Sequence, residues 1–334
     1  MLEIRPATTD EDLAELAHIV STVLPDDPTS VEEMRWADTA YPGGRRFLAW
    51  IDGVAVGTGD VGRVYMYPPD FEGVWASICV LPDHRRKGVG SALLAMLSDV
   101  AQEAGKTMLM GRTSSDRQET IDFLDHRGFR EHDRMKVVRL ELAGVERAPV
   151  EPPDGVVIST LAERPELVPA VYEVARQALP DIPGDGPQLP STLEEFRRRD
   201  VDRPVIPPDA FILAIAADTG RVIGYANLML VPGNPRIAWH GMTAVVRDWR
   251  GRGVATALKR ATIEWAAARG LDELGTANDT VNEPMRAVNR RLGYRPLPDD
   301  IDYRGPLWPG RPEQRESPEP LPRYVTATPK SLDR

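Results

Sequence analysis

Two stretches of this 334-residue chain repeat each other at a fixed spacing, which restricts the fold more than any other feature. The first reads Asp83-His84-Arg85-Arg86-Lys87-Gly88-Val89-Gly90-Ser91 and the second Asp248-Trp249-Arg250-Gly251-Arg252-Gly253-Val254-Ala255-Thr256. Their arginines stand 250 − 85 = 165 positions apart, and the same offset carries Gly105 onto Gly270 and Gly128-Phe129-Arg130 onto Gly293-Tyr294-Arg295 without a gap. One unit has been duplicated, and the length agrees, since a domain usually takes about 100–200 residues. The expected division is a domain at 1–145, a linker at 146–155 around the proline-rich ERAPVEPPD, a second domain at 156–308 and a Pro- and charge-rich tail from 309 to 334 that lacks periodicity.

Each unit opens alike. Leu2 to Arg5 reads as a strand, Thr9 to Asp12 as a capping box before a helical face of Leu13, Leu16, Ala17 and Val20, and Ser30 to Glu33 as a second box. The second unit repeats strand, helix, helix with Val156 to Ile158, Val168 to Ala178 and a box at Ser191 to Glu194. Strands are expected at 46–51, 55–61 and 74–81, matched by 210–216, 222–230 and 238–246, so that a meander runs into each glycine-rich loop. After each loop comes an amphipathic helix (Val89, Leu93, Leu97, Val100; Val254, Leu258, Ala261, Trp265) closed by Gly105 or Gly270, then a strand, a helix, and a last strand past the Gly-aromatic turn. The fold class is α/β (α+β): in each unit a mixed sheet with helices on both faces.

Hydrophobic residues at 42% and charged residues at 28% are those of a soluble globular chain, and no run approaches the roughly 18 apolar residues of a membrane span. The charged start MLEIRPATTDED replaces the apolar stretch of a signal peptide, so a cytoplasmic location is expected. The only cysteine, Cys79, lies in an apolar run, which rules out an internal disulfide and offers no metal-ligand spacing. A net charge of −10, from 41 basic and 51 acidic residues, disfavours nucleic acid and suits a cationic partner.

A strand that enters a glycine-rich turn and then a helix aims backbone N–H groups and a helix dipole at one point, where phosphate binds. Gly88 and Gly253 allow positive φ or close approach, Gly90 and Ala255 keep the first helical turn open, and Arg85, Arg86, Lys87, Arg250 and Arg252 add positive charge for a diphosphate. There is no GxxxxGK[ST] loop for ATP, and neither loop gives GxGxxG after a first strand as nicotinamide binding would want.

Both loops do resemble the coenzyme A signature of the GCN5-related N-acetyltransferase family: Arg or Gln, two residues, Gly, one residue, then Gly or Ala, at Arg85 to Gly90 and Arg250 to Ala255. With the order of elements around them, the resemblance covers about residues 1–140 and 156–307, and the doubled build is similar to that of the mycothiol synthases, a tandem branch. It implies two domains with mostly antiparallel sheets, acetyl-CoA as cofactor, and an amine acceptor. The loop segments Arg85 to Ser91 and Arg250 to Thr256, with Gly251 and Val254 among them, would hold the diphosphate. Val80 and Val245 match the place where the sheet opens and backbone N–H groups take the thioester carbonyl. Asn278, Asn282 and Asn289 resemble asparagines that hold the pantetheine arm or the 3′-phosphate region in some members, although helix-cap chemistry fits Asn278 and Asn282 as well. His240, on the strand before the second loop, stands where a base would reach the amine, or is a hydrogen-bonded strand histidine; its counterpart is Trp75, since 240 − 165 = 75. Many members place a Tyr acid four residues before the Gly-aromatic turn, where this chain has Leu124 and Asn289. The expected function is acetyl transfer to a primary amine of a small molecule, with the C-terminal domain catalytic. A non-catalytic acyl-CoA sensor and a protein N-acetyltransferase remain alternatives, and a monomer with an internal pseudo-dimer is expected.

Overall fold

The computed structural model describes residues 1–143, 150–182 and 192–308. The N-terminal unit runs β1 (Leu2–Pro6), α1 (Asp10–Val23), α2 (Val31–Ala40), β2 (Arg45–Ile51), β3 (Val54–Arg63), β4 (Gly73–Val80), α3 (Val89–Glu103), β5 (Met108–Ser114), α4 (Gln118–Asp125) and β6 (Arg130–Glu141). The C-terminal unit follows with β7 (Val156–Thr160), α5 (Val168–Ala178) and α6 (Leu193–Phe196), which passes into a π-helical turn at Arg197–Val201. It continues through β8 (Phe211–Ala216), β9 (Val222–Val231), β10 (Asn234–Val245), α7 (Val254–Ala268), β11 (Glu273–Asp279), α8 (Glu283–Arg291), β12 (Arg295–Pro296) and β13 (Asp300–Pro306). The expected tail and residues 146–149 of the expected linker lie outside the described residues.

Local chemistry explains the helix starts. Thr9 accepts from the Asp12 N–H while Asp12 accepts from the Thr9 N–H, closing the expected capping box. Ser30 accepts from the Glu33 N–H at 3.1 Å, but the Glu33 carboxylate turns to Arg203 instead of closing a second box. In the C-terminal unit the box falls one residue later than expected, because the Thr192 hydroxyl accepts from the Glu195 N–H and the Glu195 carboxylate accepts from the Thr192 N–H.

The strands form one continuous sheet in the order β1-β2-β3-β4-β5-β13-β6-β11-β10-β9-β8-β7, with β12 beside β6. Each unit's last strand therefore lies in the other unit's ladder. β13 pairs antiparallel with β5 from Asp300↔Ser114 to Pro306↔Met108, and β6 pairs with β11 from Met135↔Asp279 to Glu141↔Glu273. The two ladders correspond residue for residue at the offset of 165, since 300 − 165 = 135 and 279 − 165 = 114. Asp300 also pairs with Met135, its own counterpart, so a pseudo-twofold axis passes through that pair.

Side chains alternate across the sheet and fill a layer on each face. In the N-terminal unit Cys79 and Leu48 pack with Leu13, Leu16 and Ile19 of α1, whereas Val61 and Val74 pack with Leu94 and Leu97 of α3. Burial pushes the Cys79 thiol up to about 12, which makes it a packing residue rather than a nucleophile. On the α1–α2 side the units also touch through their helices. The Trp36 indole N–H donates to the Arg198 carbonyl at 2.9 Å, Arg199 donates to the Ala40 carbonyl at 3.0 Å, and Arg203 pairs with Glu33 at 2.5 Å.

Candidate active site

Both glycine-rich loops have the same backbone. Gly88 and Gly253 each sit at φ 85°, left-handed geometry that any side chain would strain, and the residue two earlier is also left-handed: Arg86 at 61° and Gly251 at 73°. The helices that follow have no side-chain cap and no acidic residue in their first turns, whereas α1, α2 and α6 have both. The first N–H groups of α3 and α7 are thus open to an anion. Arg85 and Arg250 do something other than reach outward. Their Nε atoms donate back to the Val80 and Val245 carbonyls at 3.2 and 2.9 Å, which ties each loop to its strand. Arg250 and Arg247 also flank Asp181, and the Arg247 hydrogen bond leads in bringing that carboxyl down to about 2. Lys87 and Arg252 remain exposed, Arg252 over the Trp249 ring, and the Ser91 hydroxyl accepts from Arg127 at 2.7 Å.

Next to each loop the sheet opens. β4 stays parallel to β5 only from Gly73↔Met108 to Trp75↔Met110, and β10 stays parallel to β11 only from Ile237↔Glu273 to Trp239↔Gly275. The Leu81 N–H bonds to Val56 and the Val246 N–H to Ile223, so alternation along the strand turns the N–H groups of Val80 and Val245 to the open side. The two strands differ in their register with the neighbouring strand. β4 runs in regular register with β3, but β10 shifts against β9 between His240 and Thr243. Asn227 braces this bulge by accepting from the Met242 N–H at 2.8 Å, and Gly241 is required there because a Cβ would lie 2.5 Å from Asn227 Oδ1.

Where the two units face each other, a cavity of about 570 Å³ opens on the α2 and α6 side of the sheet. Its wall includes Trp75 and Asp60 from the N-terminal unit and Tyr225, Asp200 and Met242 from the C-terminal unit. Both sheet openings therefore border one chamber, at Trp75 in one unit and at the bulged Met242 in the other. Burial pushes the carboxyls of Asp60 and Asp200 up to about 6, against the nearby Arg46 for Asp60 and Arg199 and Arg203 for Asp200. Groups with that affinity for protons, in a cavity beside both sheet openings, are candidates for acid–base work.

The other expected site residues lie deeper. His240 is 6% exposed and does not line the cavity; its Nε2 meets the Tyr294 hydroxyl at 2.6 Å. Burial and the Lys259 charge hold its proton affinity well below that of an ordinary imidazole, which gives the hydrogen-bonded strand histidine of the alternative expectation. Asn289, mid-helix and 3% exposed, accepts from Lys259 Nζ at 2.8 Å and donates to Asn278 Oδ1 at 2.6 Å. Asn282 caps α8 by accepting from the Met285 N–H. Lys259 is the unforeseen member of this group, 1% exposed, with an amine brought down to about 7 by burial. In the N-terminal unit Leu94 occupies the matching position, 259 − 165 = 94.

Comparison with known proteins agrees with this geometry. A profile of the Acetyltransferase (GNAT) family matches residues 13–129 and 169–294. Mycothiol acetyltransferase of Nocardiopsis dassonvillei is 29% identical over 318 residues, 88% of this chain and 91% of that protein. The enzyme of the same name from Clavibacter michiganensis subsp. michiganensis is 30% identical over 243 residues, 70% of this chain and 72% of that one. Among solved structures, a tandem GNAT protein from the clavulanic acid biosynthesis pathway superposes with a TM-score of 0.75 at 22% identity, covering 93% of this chain and all 100% of the other. Two loops, two sheet openings and two profile matches lead to one statement: this chain is an N-acetyltransferase of the GNAT family, with the family's unit present twice.

Proposed function

We propose that acetyl moves from acetyl-CoA to a primary amine of a small molecule, that the C-terminal unit carries the reaction, and that the cavity between the units receives the acceptor. The observation that carries this reading is the braced β10 bulge, which places Met242 in the cavity wall three residues before the open-side N–H of Val245. The N–H groups of Val254, Ala255 and Thr256 would take the diphosphate, and Asn278 and Asn282 would face the pantetheine arm. The Val245 N–H would stabilise charge on the thioester oxygen as the amine nitrogen attacks, a contribution of about 3 kcal/mol. A C–N bond forms, the C–S bond breaks, coenzyme A leaves as a thiolate, and the amine's proton passes to Asp200. No tyrosine acid is needed, since a thiolate of Cys-like basicity, pKa about 8.5, leaves unassisted. The relatives named mycothiol acetyltransferase favour a small acceptor over a peptide. The internal pseudo-dimer already fills the central sheet contact, in keeping with a monomer.

The test places a carboxylate where the diphosphate would sit. A glutamate in a first helical turn suits the dipole and spares the fold, unlike any side chain at left-handed Gly88 or Gly253. Calorimetry and turnover with acetyl-CoA are measured on wild type, Thr256→Glu and Ser91→Glu. Turnover should vanish in Thr256→Glu. Loss in Ser91→Glu alone would move catalysis to the N-terminal unit, and binding without turnover of any amine would favour the sensor.

A further inference from the structure

We infer that the acceptor carries two cationic nitrogens joined by a hydrocarbon linker, the reacting one beside Asp200 and the second paired with Asp60, so that each unit supplies one carboxylate to the same ligand. The inference rests on the reading of the cavity as the acceptor's seat.

The charges in the wall separate into those with partners and those without. Arg46 pairs with Asp38 at 2.5 Å. Arg199 is held by the Ala40 carbonyl at 3.0 Å and by Glu195 at 3.4 Å, and Arg203, behind the wall, by Glu33. Arg45 pairs with Glu103 at 3.3 Å, and Arg63 donates to the Tyr67 carbonyl at 3.1 Å. Asp60 and Asp200 have no ion pair among the described residues; Asp60 has only the Ser77 hydroxyl. Arg46 near Asp60 and Arg199 and Arg203 near Asp200 are each engaged by other groups, so the two half-buried carboxylates are only partly neutralised and a ligand cation would complete the pairing. Both line a chamber of about 570 Å³, large enough for a small molecule. The wall also includes Trp75, Leu179, Phe196 and Met242, apolar side chains that suit methylene groups. Two unpaired anions from two units, with apolar side chains in the same wall, describe a diamine.

The test is calorimetry on the full chain with a length series of α,ω-diaminoalkanes and with n-alkylamines of equal length, alongside acetyl-CoA consumption with the same amines. Diamines of one preferred length should bind about tenfold or more tightly than the matched monoamines, the effect of one further charge pair. Asp60→Asn should remove that advantage, and Asp60→Glu should restore it with a shorter preferred diamine, which distinguishes charge recognition from damage to the fold. Equal affinity for diamines and monoamines, or an advantage that survives Asp60→Asn, would overturn the inference. The two readings fail separately. Diamine preference without acetyl transfer to any amine sinks the transfer reading and keeps the two-cation cavity, whereas equal binding and turnover of monoamines does the reverse.

Discussion

A carboxyl that holds its proton up to about pH 6 is useful because it is a stronger base than a surface aspartate and still ionised at neutral pH. The sign follows from the direction of the shift. Asp200 accepts a proton only as a carboxylate, so kcat/KM should rise as pH rises through about 6 and level off above it. Asp200→Asn should lower kcat by about 10²–10⁴-fold and flatten that limb, as a pH-rate series on both proteins would register. An unchanged limb in the variant would assign the titration elsewhere. The loop geometry was legible in the sequence because it follows from local spacing: φ at Gly88 and Gly253, and open N–H groups at two helix starts. Asp60 and Asp200 were not. Their significance arises only where β3 of one unit and the π-helical turn of the other meet, and no spacing along the chain records that. His240 drew attention as a titratable residue on the right strand, but the bulge and the Tyr294 hydroxyl hold it inside the protein. Lys259 carried a signal that could have been used, a lysine where an amphipathic helix wants an apolar residue and where its counterpart is Leu94.

The helices and strands were largely readable because capping chemistry, hydrophobic spacing and glycine caps are local, as Thr9, Gly105 and the helix from Val168 to Ala178 illustrate. The β10 bulge was not, since an extra residue in one strand is visible only against its partner. Asn227 on β9 gives the bulge its shape, and that can be tested with Asn227→Leu. The variant leaves the Met242 N–H without its acceptor, which should cost about 1–3 kcal/mol in denaturant unfolding. It should lower kcat more than it weakens acetyl-CoA binding, because Met242 lines the cavity proposed for the acceptor while the glycine-rich loop at Gly253 is untouched. Equal losses in both would mean that the bulge serves only the fold.

At the level of the whole molecule, duplication was evident from the offset of 165, but the exchange of last strands was not, because β6 would satisfy its own sheet's pattern equally well. The exchange predicts cooperative behaviour. Gly305 on β13 lies against Phe129 of the N-terminal unit, and a Cβ there would enter the ring. Gly305→Ala should therefore cost about 1–3 kcal/mol and lower one shared thermal transition, although the substitution is in the C-terminal unit. Calorimetric unfolding that left an N-terminal transition in place would contradict this. The reciprocal ladder also bears on heredity. A gene cut at the join between the repeats would encode two halves, each of which must re-pair its own last strand in place of the one the other half supplies. The shared sheet needs both repeats whatever either glycine-rich loop binds, so the architecture alone is a reason to keep the N-terminal copy.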